Sequence, residues 1–172
     1  MDYSRLKSKI REIADFPTPG VKFKDITPLL EDKDAFREAI NGLVKLFKDR
    51  KIDKVVGIDA RGFLLASPVA YLLNSGMVIV RKKGKLPHET ILREHDLEYG
   101  RGTLEIHVDA VKKGEKILII DDVLATGGTA EAAVGLVEHL GGEVIGIGFL
   151  LELPLGGKEK LKKYSVKSLI SY

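Results

Sequence analysis

Apolar residues occur along the chain in two patterns. Short runs with no charged residue at Val55–Ile58, Met77–Val80, Ile117–Ile120 and Val144–Leu151 predict buried strands. Between them, apolar residues recur every three or four positions, as they do in helices that cover a sheet. Because strands without polar alternation are buried on both faces, we expect an α/β fold: a doubly wound, mostly parallel, twisted sheet flanked by helices.

The residues before the first predicted strand are expected to form two helices. Apolar residues at helical spacing predict an amphipathic helix over residues 3–14, which Pro17 and Pro19 would end. A second helix is expected to begin at Asp34, a residue type that serves well as an N-cap.

A long polar stretch from Arg81 to Gly102 follows the second predicted strand. Stretches of this length without a clear element pattern are uncommon in compact domains and often form functional lids. We therefore expect a lid loop here. The segment Leu104–Val108 then alternates apolar and polar residues, which predicts a half-exposed strand with Glu105 on its polar side.

Length and composition limit the classes of protein to which the chain can belong. Its 172 residues suffice for one domain, and 44% apolar with 31% charged residues exclude a disordered chain. The net charge of +3 gives no support for nucleic-acid binding. The absence of cysteine excludes disulfides, thiolate metal sites and a catalytic thiol, and a cytoplasmic location fits it.

One uncharged stretch, Gly62–Val80, is 19 residues long and so approaches the length that crosses a bilayer. Ser67-Pro68 and Asn74–Gly76 interrupt it, which indicates a buried helix followed by a strand. The first residues, Met1–Arg5, precede no apolar core of the kind that a signal peptide needs. No membrane association is expected.

The strongest candidate for a functional site follows the predicted strand Ile117–Ile120. Asp121 and Asp122 come next, then a short loop with the sequence Ala-Thr-Gly-Gly-Thr over residues 125–129 and the start of a helix. Free N–H groups at a helix N-terminus attract anions, glycine lets the main chain approach a phosphate, and threonine adds hydroxyl donors. The adjacent carboxylates suit a sugar diol, or a metal held through water. A simple tight turn would explain the glycines but not the whole string.

Two other nucleotide-binding motifs are missing from the sequence. No Gly-Lys pair is followed by Ser or Thr, so there is no Walker A loop. The pair Gly146 and Gly148 lacks the third glycine of the dinucleotide fingerprint and lies within a predicted strand.

Residues Ile117–Thr129 resemble the phosphoribosyl pyrophosphate signature of the type I phosphoribosyltransferases. Further segments resemble the members of this family that act on adenine, in the same order along nearly the whole chain: residues 16–28, 59–63, 81–87, 97–100 and 151–153. The resemblance implies one domain over residues 1–172, with a small N-terminal hood over residues 1–30 and a long lid loop over about residues 82–102. It also implies a homodimer.

The reaction implied by this resemblance joins adenine to 5-phosphoribosyl 1-pyrophosphate and releases AMP and pyrophosphate. Mg²⁺ is the implied cofactor, carried by the substrate's oxygens with no direct protein ligand. The resemblance places an aspartate at position 125 in the enzymes that act on 6-oxopurines, whereas this chain has Ala125. That difference favours adenine as the base.

The resemblance also implies roles for individual residues. Those expected to bind the 5′-phosphate and ribose are Asp121, Asp122, Ala125, Thr126, Gly127, Gly128 and Thr129. Those expected at the pyrophosphate are Arg61, Lys82 and Lys85, and those expected at adenine are Phe23, Lys24 and Leu153. The expected catalytic residues are Arg61, Glu98 and Tyr99, with Glu98 taking or relaying the N9 proton. A cis peptide between Asp59 and Ala60 is also implied.

Two other functions stay open at this point. One is a phosphoribosyltransferase for hypoxanthine, guanine or xanthine. The other is a non-catalytic regulator that binds phosphoribosyl pyrophosphate and DNA. Such a regulator needs a DNA-reading module, and only about 20 residues precede the segment that would cover the base, fewer than a domain requires.

Overall fold

The computed structural model describes residues 3–96 and 100–172. The helices are α1 Ser4–Ser8, α2 Thr27–Glu31, α3 Lys33–Phe47, α4 Arg61–Leu72, α5 Gly128–His139 and α6 Gly157–Lys160. The strands are β1 Arg11–Ala14, β2 Lys22–Asp25, β3 Lys54–Ile58, β4 Gly76–Lys82, β5 Thr90–Asp96, β6 Arg101–His107, β7 Lys116–Leu124, β8 Glu143–Glu152 and β9 Val166–Ser171.

A seven-stranded sheet in the order β5-β6-β4-β3-β7-β8-β9 forms the centre of the molecule. Neighbouring strands from β4 through β9 along this order are parallel, and β5 and β6 add an antiparallel edge. On β7, Leu118 and Ile120 pack in the cluster under α3 and α4, whereas Ile117 and Ile119 pack in the cluster under α5. The predicted α/β sheet with helices on both faces is confirmed.

The N-terminal segment differs from the predicted single helix over residues 3–14, and that prediction is wrong. Helix α1 ends at Ser8, and β1 pairs antiparallel with β2, so that Ile13 lies opposite Phe23. The connection between these strands contains a cis Phe16–Pro17 peptide and a hydrogen bond from the Gly20 N–H to Asp15 Oδ1 at 2.7 Å. The local turn therefore closes a hairpin where apolar spacing alone predicted a helix.

The N-cap of helix α3 lies two residues before the predicted one, Asp34. The N-cap is Asp32, whose Oδ1 accepts hydrogen bonds from the N–H groups of Asp34 and Ala35, both at 3.0 Å. The Lys9 ammonium lies 2.8 Å from Asp32 Oδ2, and together with the N–H of Ala35 it lowers the pKa of the Asp32 carboxyl to about 2.

The polar stretch between β4 and β6 contains more regular structure than predicted. Strand β5 pairs antiparallel with β6 over its whole length, with Thr90 opposite His107 and Asp96 opposite Arg101. The end of strand β5 also lies against the start of α5. The Asp96 carbonyl oxygen occupies the space that a Cβ on Gly128 would need, so this approach depends on glycine at position 128. The expected irregular lid is therefore replaced in large part by a hairpin strand.

Glu105 also differs from the prediction, because it is 3% exposed rather than on a solvent-facing side of β6.

Among the described residues, no helix is both long enough and apolar enough to cross a membrane.

Candidate active site

A pocket of about 640 Å³ lies at the carboxyl edge of the parallel strands, where β3, β7 and β8 end. Open α/β sheets bind ligands at this edge. The predicted site residues that line it are Phe23, Lys24, Arg61, Lys82, Asp121, Asp122, Ala125, Thr126, Gly127, Gly128, Thr129 and Leu153. Lys85 is not among the lining residues, and Glu98 and Tyr99 lie outside the described residues.

The floor of the pocket is the turn between β7 and α5. Gly127 precedes the helix with φ +83°, a left-handed conformation that favours glycine. On the other side of the turn, the Ala125 carbonyl accepts a hydrogen bond from the Gly157 N–H at 3.0 Å. The first-turn N–H groups of a helix of this length have no partner within the helix, so the turn offers an anion-binding site.

Asp121 and Asp122 stand beside this turn at the end of β7. The Asp122 N–H donates to Asp121 Oδ1 at 2.9 Å, and the Asp122 side chain is 8% exposed. Burial, reinforced by the charge of Asp122, raises the pKa of the Asp121 carboxyl well above its usual value. Burial also raises the pKa of the Asp122 carboxyl, although Arg61 opposes that rise. Within the described residues Asp122 Oδ2 accepts no hydrogen bond, which leaves it able to accept one from a hydroxyl group of a ligand.

Arg61 connects the carboxylates to the N-terminal hairpin. Its Nε lies 2.8 Å from Asp122 Oδ2, an ion pair in which the N–H does not point at the oxygen. Its guanidinium carbon lies 4.9 Å from the centroid of the Phe23 ring. Arg61 begins α4 directly after the Asp59–Ala60 peptide, which is cis as the resemblance implied.

The N-terminal hairpin brings Phe23 to the upper wall of the pocket. The Phe23 ring meets Phe16 edge to face, with ring centroids 5.1 Å apart. Lys24 also lines the pocket, but its ammonium lies 2.6 Å from Glu12 Oε2 and 3.9 Å from the Tyr172 ring centroid. The polar end of Lys24 is thus held by the hairpin and by Tyr172, outside the pocket.

Several lining residues had no signal in the sequence that would separate them from ordinary core or loop positions. Phe149 lies within the apolar run of β8, where it is expected to be buried for packing alone. The other unanticipated lining residues include Pro17, Val21, Lys22, Asp59 and Val123. Asp59 could have been noted as the last polar residue before Arg61.

The described residues contain no cluster of three or more histidine, aspartate or glutamate side chains that could hold a metal ion. Asp121 and Asp122 supply carboxylate oxygens at the pocket edge, which suits a divalent cation coordinated mainly by ligand oxygens.

A helix N-terminus, a buried carboxylate pair and an arginine beside an aromatic ring therefore line one pocket, an arrangement that suits a phosphorylated sugar and an aromatic partner. A family model described as the phosphoribosyl transferase domain matches residues 25–171, so the chain belongs to this family.

Three relatives named adenine phosphoribosyltransferase illustrate the similarity. An adenine phosphoribosyltransferase of Caldicellulosiruptor bescii is 54% identical over 168 residues, 97% of this chain and 96% of that protein. The crystal structure of adenine phosphoribosyltransferase from Thermoanaerobacter pseudethanolicus has a TM-score of 0.96 and 52% identity, covering 99% of this chain and 100% of that one. The Saccharomyces cerevisiae enzyme, crystallised with an imino-altritol bisphosphate and adenine, has a TM-score of 0.90 and 37% identity, covering 96% and 97%.

Proposed function

We propose that this chain transfers the phosphoribosyl group of 5-phosphoribosyl 1-pyrophosphate to adenine, a purine-salvage reaction that yields AMP and pyrophosphate. The main support is the meeting of four groups in one pocket: the α5 N-terminus, Asp121 with Asp122, Arg61, and the Phe23 ring. Nearly full-length similarity to adenine phosphoribosyltransferases supports the choice of reaction.

In this proposal the donor substrate lies along the carboxyl edge of the sheet. The 5′-phosphate binds the turn of residues 125–129, where N–H groups and threonine hydroxyls can donate to its oxygens. The ribose 2′- and 3′-hydroxyls donate to Asp121 and Asp122. Arg61 releases its contact with Asp122 and, with Lys82, binds the negatively charged pyrophosphate.

The base enters on the side of the N-terminal hairpin. Phe23 covers one face of the purine, and Leu153 packs against the other. Leu153 is held beside the phosphate turn by a hydrogen bond from its N–H to the Leu124 carbonyl at 2.9 Å. Main-chain groups around Lys24, whose side chain points elsewhere, are available to hydrogen-bond the base edge.

During transfer, the bond from C1 of the ribose to the pyrophosphate oxygen breaks while a bond from adenine N9 to C1 forms. Positive charge develops on the ribose ring and negative charge on the leaving pyrophosphate, so Arg61 and Lys82 stabilise the transition state. Mg²⁺, held chiefly by the substrate's own oxygens, would neutralise further charge on the leaving group. The N9 proton must be removed, and Glu98, with Tyr99 beside it in the sequence, is our candidate for that step.

Glu98 can be tested although it lies outside the described residues. A group that moves a proton during reaction contributes to the transition state more than to substrate binding. We therefore expect Glu98→Gln to lower kcat more than it changes the KM of either substrate. An unchanged kcat would assign the proton to another group.

The proposed activity is tested by incubating the protein with adenine, phosphoribosyl pyrophosphate and Mg²⁺ and following AMP. We expect AMP to form, the reaction to stop when the metal is chelated, and hypoxanthine, guanine and xanthine to react poorly. Comparable turnover of a 6-oxopurine would contradict the adenine assignment. DNA binding without AMP formation would favour the non-catalytic regulator.

We also propose that two copies associate through α4 and β4. Leu64 and Tyr71 on α4 are 49% and 84% exposed, and Met77 and Ile79 on β4 are each 36% exposed. These residues lie in the uncharged stretch Gly62–Val80, and apolar surface of this kind commonly marks an interface.

We infer a cytoplasmic location because the phosphorylated substrate and products are too highly charged to cross a bilayer unaided.

A further inference from the structure

A buried carboxylate lies beneath the basic loop that follows β4. Glu105 is on β6, directly opposite Arg81 in the antiparallel pair of β4 and β6, and is 3% exposed. Burying a carboxylate is unfavourable unless other groups compensate its charge. Most of the groups that do so here belong to the main chain of the loop over residues 83–86, which we call the basic loop, and Thr90 Oγ1 adds a contact to Glu105 Oε2 at 3.5 Å.

Successive N–H groups of the basic loop point at this carboxylate. Glu105 Oε1 accepts hydrogen bonds from the N–H groups of Lys85 and Leu86, both at 2.7 Å. Burial by itself raises the pKa of the Glu105 carboxyl, but the N–H groups of Gly84, Leu86 and Lys85 together outweigh it and lower the pKa. The carboxylate is therefore ionised and serves as the acceptor around which the loop folds.

Arg81 holds the same loop from its other side. Arg81 Nη1 donates to the Lys85 carbonyl oxygen at 3.1 Å, while its Nε donates to Asp59 Oδ2, also at 3.1 Å. The main chain of Lys85 is thus fixed at its N–H by Glu105 and at its carbonyl by Arg81. Because Asp59 lies just before Ala60 and Arg61, the basic loop is tied to the segment that presents Arg61 to the pocket.

The basic loop concentrates positive charge beside Lys82, which lines the pocket. Lys82, Lys83 and Lys85 are close in sequence and their side chains are exposed, so they repel one another. The N–H groups turned toward Glu105 add further positive partial charge. Without the Glu105 carboxylate to accept hydrogen bonds from these N–H groups, the repulsion between the positive charges would favour an opened basic loop.

We propose that Glu105 is a positioning residue that holds the basic loop at the pyrophosphate end of the active site. This inference rests on the proposed function, in which pyrophosphate binds beside Lys82. Glu105 itself does not touch substrate. Its effect is specific for phosphoribosyl pyrophosphate in the forward reaction and pyrophosphate in the reverse reaction, because adenine binds on the side of the N-terminal hairpin.

The test compares Glu105→Gln with the wild-type protein in both directions of the reaction. Glutamine keeps the shape and an acceptor oxygen for the N–H groups of the loop, but it removes the negative charge and puts an NH₂ group in place of Oε2, beside Thr90 Oγ1. We expect the KM for phosphoribosyl pyrophosphate and for pyrophosphate to rise about tenfold, with the KM for adenine changing by less than about twofold. Glu105→Ala, which removes both acceptors, is expected to produce a larger change in the same direction.

Glu115→Gln is the matched control. Glu115 accepts a hydrogen bond from the Lys112 N–H at 2.8 Å and lies 2.9 Å from Lys54 Nζ, so it also ties down a turn. It lies beside the first residues of β3 and β7, at the edge of the sheet opposite the pocket. We expect this variant to lower the melting temperature and leave every KM unchanged.

A third arm separates the inference from the function on which it rests. The double variant Lys82→Ala/Lys85→Ala removes the two lysines that the proposed function places at the pyrophosphate, one at the end of β4 and one in the basic loop. If this variant raises the KM for phosphoribosyl pyrophosphate while Glu105→Gln behaves like Glu115→Gln, the positioning role is wrong and the proposed pyrophosphate site stands. If Glu105→Gln raises the KM for adenine as much as that for phosphoribosyl pyrophosphate, its effect is general and the inference is also wrong. If neither Glu105→Gln nor the double variant affects phosphoribosyl pyrophosphate, both proposals fail.

Discussion

Asp121 and Asp122 are adjacent acids that burial and mutual repulsion make costly to ionise. Their pKa values are raised, and the nearby Arg61 offsets only part of the cost. A pair of this kind lowers the stability of the free protein at neutral pH. In the proposed complex the hydroxyl groups of the ribose donate hydrogen bonds to both carboxylates. The loss of stability is therefore linked to function.

This cost predicts a stabilising substitution, Asp121→Asn. An acid whose pKa is higher in the folded than in the unfolded state contributes most to stability below its ordinary pKa, and that contribution is lost as the pH rises through the folded-state pKa. The variant should therefore melt a few degrees above the wild-type protein at neutral pH, with the difference shrinking toward pH about 4. It should also use phosphoribosyl pyrophosphate less well. Thermal melts across this pH range check the prediction, and a variant that melts lower at neutral pH would contradict it.

Candidate site residues were easiest to find in the sequence where they are contiguous, and those residues line one pocket. Asp121 through Thr129 fall on one strand end and one turn, so their types and order were sufficient to indicate a phosphate and ribose site. Glu105 could not be placed in this way. Alternation along β6 shows which residues share a side of the strand, but only the fold shows that a loop covers that side.

At the scale of elements, the approach of α4 to the end of β7 is as important as either element alone. Gly62, the second residue of α4, lies so close to β7 that a Cβ there would be 2.6 Å from Asp121 Oδ1 and 3.2 Å from the Ile120 carbonyl oxygen. The helix can bring Arg61 beside Asp122 because this position has no side chain.

Gly62→Ala should therefore disturb the site without adding polar chemistry. The added methyl group must displace the Asp121 carboxyl or move the start of α4, and with it Arg61. We expect kcat/KM for phosphoribosyl pyrophosphate to fall about tenfold or more.

Gly76→Ala is the matched control for this substitution. A Cβ on Gly76 would meet chiefly the flexible Lys54 side chain, at 3.2 Å, at the start of β4 away from the pocket. We expect its kinetics to stay at the wild-type level. Equal kinetics for both variants would contradict the account of the α4 start.

Helices and strands were predictable where the apolar pattern fitted only one of the two. The uninterrupted runs of β3, β4, β7 and β8 could only be strands in a compact α/β domain, and they are. The segment before Pro17 was ambiguous, since apolar residues three or four apart also occur in a short helix followed by a hairpin strand. There the hairpin pairing of β1 with β2, which apolar spacing does not reveal, decided the outcome.

At the scale of the whole molecule, the sheet order places β3 between β4 and β7. Strand β7 leads to the turn of residues 125–129 and β4 leads to the basic loop, so in the proposed complex the two ends of the donor substrate would lie at strand ends on either side of β3. The sheet order is not written in any local segment of the sequence. The residue patterns and the family resemblance gave only its class, a mostly parallel twisted sheet flanked by helices.

The exposed apolar face of α4 and β4 predicts the assembly of the protein. Light scattering should give a particle of twice the 18.9 kDa chain mass. Leu64→Lys with Met77→Lys should lower that mass to one chain, because two charges would be buried in the interface. Leu155→Lys is the control, since Leu155 is also 50% exposed but lies outside this face. A wild-type monomer, or a double variant that stays dimeric, would contradict the proposed interface.

The central claim is that phosphoribosyl transfer takes place in the pocket at the carboxyl edge of the sheet, with Asp122 accepting a ribose hydroxyl. The most direct measurement is kcat/KM for phosphoribosyl pyrophosphate in Asp122→Ala beside Asp53→Ala. Asp53 accepts a hydrogen bond from the Lys116 N–H at 2.8 Å at the opposite edge of the sheet. The account predicts a fall of about 10- to 100-fold for Asp122→Ala and wild-type kinetics for Asp53→Ala. Wild-type kinetics in Asp122→Ala would contradict it.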